Sequence, residues 1–158
     1  MISLRPSELR VPTVALTVEV VCADGYAYRG RVFLPEMSAH HSGRPSVEEW
    51  LNDAAAFIPF MPSDAHGCVI LNKDDVAVLS VERADDVPRE RHGPSRTVSV
   101  ACRGKTIIGR VVLDTPAEAS RILDFLNRAD AFVVVDDGTT RHVVRKAGIM
   151  RVIEEPGG

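Results

Sequence analysis

The feature that most constrains this chain is that it repeats itself. Thr17-Val18-Glu19-Val20 returns as Thr97-Val98-Ser99-Val100, and Gly30-Arg31-Val32-Phe33-Leu34 returns as Gly109-Arg110-Val111-Val112-Leu113. Leu51-Asn52, followed by Ala54 and Ala56-Phe57, matches Leu126-Asn127 followed by Ala129 and Ala131-Phe132. Asn72-Lys73 with Val76 matches Arg145-Lys146 with Ile149. The blocks keep their order, and the spacing between copies shortens only where loops are expected, so one supersecondary unit has been used twice. A chain of 158 residues then divides into two small modules rather than one ordinary domain.

Each copy reads as the same string of elements. Val14 to Cys22 is rich in β-branched residues and runs into the hairpin signal Ala23-Asp24-Gly25, after which Tyr26 to Leu34 forms a second strand. The second copy gives Thr97 to Cys102, the turn Arg103-Gly104, and Lys105 to Leu113. A helix follows in both. Ser46 with Glu49 and Thr115 with Glu118 have the spacing at which hydroxyl and carboxylate satisfy the free amides of a first turn, and Pro116 occupies the first helical position. Val47, Trp50 and Leu51 in one copy, and Ala119, Ile122, Leu123 and Leu126 in the other, form the apolar stripe that would cover an open end of the sheet. Three short strands complete each copy: Ala56 to Met61, Cys68 to Leu71 and Val76 to Val81, then Ala131 to Val135, Thr140 to Val144 and Ile149 to Ile153.

The expected fold is therefore mainly β, a tandem repeat of two small five-stranded barrels, each with one short helix between strands 2 and 3. Closure would remove the edges that recruit other chains. The first module spans 13–82 and the second 97–155. Residues 83–96, rich in charge and broken by Pro88 and Pro94, read as an exposed linker in which arginines alternate with acids and neutralise one another. The segment before Val14, with Pro6 and Pro12, reads as an extended arm.

Val98-x-Val100, Gly104, Gly109 five residues later, and Arg145-Lys146-Ala147-Gly148-Ile149 with Val152 make the second copy resemble the bacterial Hfq and Sm-like family of SH3-like small β-barrels. The first copy carries the same skeleton in Val18, Val20, Gly25, Gly30 and Asn72-Lys73-Asp74-Asp75-Val76. The resemblance implies ring assembly and RNA binding, with Asn72, Lys73, Arg145 and Lys146 at the strand-end turns as the ligand-binding positions. Three departures stand beside it. The helix falls between strands 2 and 3 instead of before strand 1, no Asp-x-x-x-Asn motif follows the second strand, and the Arg-Gly pair of the second Sm motif is absent.

Charge and residue chemistry narrow the function further. The net charge of −3 offers no overall attraction for a polyanion, yet residues 1–82 hold 6 Lys+Arg against 11 Asp+Glu and residues 83–158 hold 13 against 11, so RNA would favour the second half. Aromatics for base stacking are scarce at 5%. Cys22, Cys68 and Cys102 are odd in number and lack metal-site spacing, which predicts reduced, mostly buried thiols and no disulfide framework. His40, His41, His66 and Cys68 are the only group suggesting a metal, but adjacent histidines on extended chain point apart. The pairs Asp74-Asp75 and Asp136-Asp137 fall where turns are expected and read as turn residues. No nucleophile elbow, phosphate-cradling glycine loop or His-Glu-x-x-His motif is present.

No apolar run approaches a bilayer's span and no basic-then-apolar leader opens the chain, which predicts a cytoplasmic protein without membrane contact. The expectation is a non-catalytic, cofactor-free binding or scaffolding protein acting through protein partners and self-association. The alternatives are an RNA-binding regulator using the second module and a small metal-dependent enzyme using the histidine-bearing loops.

Overall fold

The computed structural model describes residues 12–53, 55–64, 67–87, 93–113, 121–128 and 130–156. The first half contributes β1 (Thr13–Cys22), β2 (Ala27–Pro35), α1 (Val47–Leu51), β3 (Phe57–Pro62), β4 (Val69–Asn72) and β5 (Val76–Glu82). The second contributes β6 (Ser95–Cys102), β7 (Lys105–Val112), α2 (Ile122–Arg128), β8 (Phe132–Asp136), β9 (Thr140–Arg145) and β10 (Ile149–Glu154). The extended arm lies mostly outside the described residues. No helix among those described is long and apolar enough to cross a membrane.

All ten strands belong to one antiparallel sheet in the order β10-β6-β7-β8-β9-β5-β1-β2-β3-β4. Each half has the same internal permutation, its fifth strand beside its first and its fourth strand at the far side. The registers agree as well. Val20 pairs with Leu79 as Val100 pairs with Val152, and Arg31 pairs with Met61 as Arg110 pairs with Asp136. The fold is mainly β with one short helix between the second and third strands of each half. Where two separately closed sheets were expected, the pairing is continuous: β5 of the first half is hydrogen-bonded to β9 of the second. Among the described residues no pairing joins β4 to β5 or β9 to β10.

Local chemistry explains the elements. The β6–β7 hairpin turns on Arg103 and Gly104, both with positive φ (50° and 77°), the backbone that a tight two-residue turn of matching twist requires. Gly30 and Gly109 are needed for closeness. A Cβ on Gly30 would stand 2.3 Å from the Met61 carbonyl oxygen, and one on Gly109 would stand 2.7 Å from that of Asp136. Each glycine lets its second strand press against the third. At α1, the Ser46 hydroxyl accepts from the Glu49 amide at 3.1 Å as the spacing predicts. The reciprocal bond does not form as expected, because the Glu49 carboxylate meets His41 Nε2 at 2.8 Å. The expected cap of α2, Thr115 to Glu118, lies outside the described residues. On α2 the buried residue is Phe125, with Ile122 and Leu126 half-buried, while Leu123, expected in the apolar stripe, is exposed.

The core has two clusters, and both cross the middle of the sheet. One is built on Val20, Leu34, Leu51, Phe60 and Leu79 of the first half and takes in Phe132 and Val143 of the second. The other is built on Val98, Val100, Leu113, Phe125 and Val135 and takes in Val21, Ala77 and Val78 of the first. The halves are thus interlocked. Cys22 and Cys102 occupy equivalent buried places and burial pushes both thiols up, whereas Cys68, expected to be mostly buried, is exposed.

Candidate functional site

The residues with the most developed chemistry lie along the seam where β5 meets β9. The register sets Leu79 opposite Val143, Ser80 opposite His142 and Val81 opposite Arg141. On one face the Ser80 hydroxyl lies 2.7 Å from His142 Nδ1, and His142 Nε2 lies 3.0 Å from Asp137 Oδ2. A tautomer with the proton on Nε2 satisfies all three, since it donates to Asp137 while Nδ1 accepts from Ser80. The Asp137 carboxyl is held well below the usual carboxylate range by the amides of Thr140 and Thr139, which donate to Oδ1 at 2.8 and 3.0 Å, with smaller help from His142 and the Thr139 hydroxyl.

Serine, histidine and aspartate in line have the composition of a hydrolytic relay. Here the serine sits inside a strand paired on both sides, so the amides around it already serve the ladders and cannot stabilise an oxyanion. The row is chemically a tie between the halves. Sequence reasoning missed it because Ser80 and His142 are 62 residues apart and neither carries a motif.

On the other face Asp86 acts as a bracket. Its Oδ1 accepts from the Val47 amide at 3.0 Å and from the Val87 amide at 2.9 Å, and its Oδ2 meets Arg141 Nη1 at 3.1 Å. Arg141 also reaches Asp136 at 3.5 Å, which Arg83 approaches at 3.6 Å. One carboxylate thereby fixes the start of α1 and the seam strand β9. Arg83, Ala84, Asp85, Gly93, Pro94 and Ser95 of the expected linker are exposed, but Asp86 is buried, and among the described residues Arg83 pairs with Asp136 and Arg96 with Glu154 instead of with linker acids. Arg89 and Arg91 lie outside the described residues. A charged cleft of about 240 Å³ opens here, lined by Ser46, Glu48, Arg83, Asp86, Arg110 and Arg141 among others.

The four positions singled out from the sequence flank the end of the seam, and Arg145 is the one among them seen to bond across it. Asn72 Oδ1 accepts from the Asp74 amide at 2.9 Å and caps a 3-10 turn. Lys73 is buried, its ammonium donates to the Asp53 carbonyl, and burial lowers its pKa against the opposing pull of Asp53 and Asp74. Arg145 crosses to the first half, with Nη2 at 3.2 Å from the Asp74 carboxylate and Nη1 donating to the Asp74 carbonyl. Lys146 is half-buried beside an apolar cleft of about 430 Å³ shared with Leu126, Ala131 and Ile149. Asn52 adds a second clasp: its amide donates to the Phe132 carbonyl at 3.2 Å and accepts from the Phe132 amide at 2.9 Å.

The other candidates divide. Asp136 and Asp137 do shape their turn, Asp136 Oδ1 accepting from the Gly138 amide at 2.8 Å, while also binding partners on β9. His41 is engaged by Glu49 and by the Ser42 carbonyl, and His66 lies outside the described residues. Among the described residues no group of three or more His, Cys, Asp or Glu is placed to hold a metal ion.

At the two ends of the sheet the picture changes. β4 and β10 each have one paired side, and around them the chain exposes Phe57, Val69, Ile70, Met150 and Ile153. Compared with known proteins, the chain matches no family model, no curated protein and no solved structure.

Proposed function

We propose that this chain is a non-catalytic binding and scaffolding protein, made of two Sm-like modules, that works by contact with other protein chains, its own copies included. The observation that carries the reading is the apolar dressing of the two free strands. Native sheets usually blunt such edges with charge or proline, because unpaired backbone groups recruit further strands. Here Val69 and Ile70 lie exposed on β4, and on β10 Met150 and Ile153 stand beside the exposed charges of Arg151 and Glu154. Large apolar side chains left exposed on a free edge mark an interaction surface.

The polar chemistry supports the same reading. Ser80 with His142, Asp86 with Arg141 and Arg145 with Asp74 spend hydrogen bonds on joining the halves. Light scattering of the purified chain over a concentration series tests the proposal. Masses above the 17.2 kDa of one chain are expected. The mass of a single chain at every concentration would refute self-association.

A second reading, an RNA-binding regulator using the second half, is favoured by the exposed Arg110 and Arg151 and by that half's positive balance. It predicts binding to mixed RNA that weakens steeply with salt, read by filter retention at two ionic strengths. Arg145 and Lys146 lie on the same half, Arg145 paired with the exposed Asp74.

A further inference from the structure

Three cross-strand neighbours in the second half form a polar row. Thr97 on β6 pairs with Arg110 on β7, and Arg110 pairs with Asp136 on β8, so the three side chains project from one face of the sheet as near neighbours. The same row exists in the first half as Thr17, Arg31 and Met61. The copies diverge in what stands over it. Beside the second row lie Ser46 and Glu48 from the start of α1 and Arg83, Asp86 and Val87 from the segment after β5, with the cleft of about 240 Å³ between. That cleft continues into another of about 650 Å³ along β6 and β7, the two sharing Arg83, Arg110, Val112 and Asp136. The wall reaches this row across the β5–β9 seam, and beyond β4 no strand among those described brings a counterpart to Arg31.

We infer that this trench is a binding site for a small organic acid, one that carries a single carboxylate on a short apolar body. The charges of the trench are unequally committed. Asp86 and Asp136 are both engaged by Arg141, at 3.1 and 3.5 Å, and Arg83 approaches Asp136 at 3.6 Å. Arg110 is exposed and, among the described residues, has no hydrogen-bonding or ionic partner. Its twin Arg31 rests its Nη2 on Met61 Sδ at 3.3 Å. A guanidinium left over beside a cleft presents parallel donors that match the two oxygens of a carboxylate.

The rest of the trench selects what the carboxylate is attached to. Glu48, Asp86 and Asp136 all line the smaller cleft, so a second negative charge carried into it would meet repulsion. Val87, Val112 and Val134 give that same cleft an apolar surface. A ligand with its carboxylate at Arg110 and a hydrocarbon tail directed inward meets both conditions. Thr97, the neighbour of Arg110 on β6, adds a hydroxyl at the head-group end. The site uses neither free strand and stands whether or not the chain associates.

Pentanoate titrated into the purified chain, followed by the chemical shifts of backbone amides and arginine Nε–H groups, tests the assignment. Saturable shifts confined to the trench, at Thr97, Arg110 and Asp136 above all, are expected. Pentanamide keeps the body and loses the charge, and should bind at least about tenfold more weakly, the scale of one charge-assisted hydrogen bond. Glutarate, with two carboxylates, and inorganic phosphate should give no saturable shifts there. Arg110→Gln changes an exposed side chain, so it should fold as the wild type does and weaken pentanoate by about tenfold or more. Arg31→Gln, the same change in the copy without a wall, should leave the affinity unchanged. No saturable shifts with pentanoate would overturn the site, as would equal losses in the two arginine variants. Phosphate or glutarate binding as tightly as pentanoate would overturn the single-carboxylate chemistry.

Discussion

The corner between α1 and the turn before β5 is made of the same residues as the corner between α2 and the turn before β10. Leu51 answers Leu126, Asn52 answers Asn127, Lys73 answers Lys146 and Val76 answers Ile149. Their surroundings differ. In the first corner Leu51 and Val76 are fully buried, Asn52 clasps Phe132, and the Lys73 ammonium is tucked onto a carbonyl. In the second, Leu126, Lys146 and Ile149 are only half-buried around an open cleft. The difference comes from the neighbour that stands beside the first corner and is missing beside the second. Burial here is a property of the junction and not of the repeated sequence.

Paired substitutions break or sharpen that comparison. Phe132→Ala should show the largest effect, a loss of about 4 kcal/mol for an aromatic removed from a closed core. Its twin Phe57→Ala should stay within about 0.5 kcal/mol in the single chain. Urea denaturation at low protein concentration measures both, and equal losses would mean that the corners are not different after all. Next comes Asp86→Ala, which leaves Arg141 short of its buried partner and α1 without a bracket. A loss of about 3 kcal/mol is expected by the same measurement. The smallest effect belongs to the clasps. Asn52→Ala gives up two hydrogen bonds to Phe132 for about 1–2 kcal/mol, whereas Asn127→Ala should change single-chain stability by less than about 0.5 kcal/mol.

The strands could be located from the sequence because runs such as Val18 to Val21 and Val133 to Val135 are rich in β-branched residues and are followed by Asp-Gly turns. Every one of the ten begins and ends within about two residues of its expected place. The duplication was also legible, and the equal registers of Val20 with Leu79 and Val100 with Val152 give it a structural meaning. The seam was not legible. Phe57 and Phe132 are the same residue in the same local context, so no local signal says that only one is covered. Arg145 and Lys146 were found because they flank a turn, but what Arg145 does depends on Asp74, which lies 71 residues away. Asp86 was hidden in a segment whose prolines and charge suggest solvent. Its burial is set by the helix start and the arginine that converge on it.

The interlocked cores bear on how this molecule comes apart. With Phe132 and Val143 lodged in the first half's interior, and Ala77 and Val78 in the second's, removing either half strips apolar contacts from the middle of the other. Local opening that spared one repeat would expose both sides of that exchange at once, so the cheapest excursion is loss of the whole structure. The repeat is therefore expected to unfold as a single cooperative unit: amide protons on β1 and on β6 should exchange with solvent at one common free energy, and denaturation should show a single sigmoid.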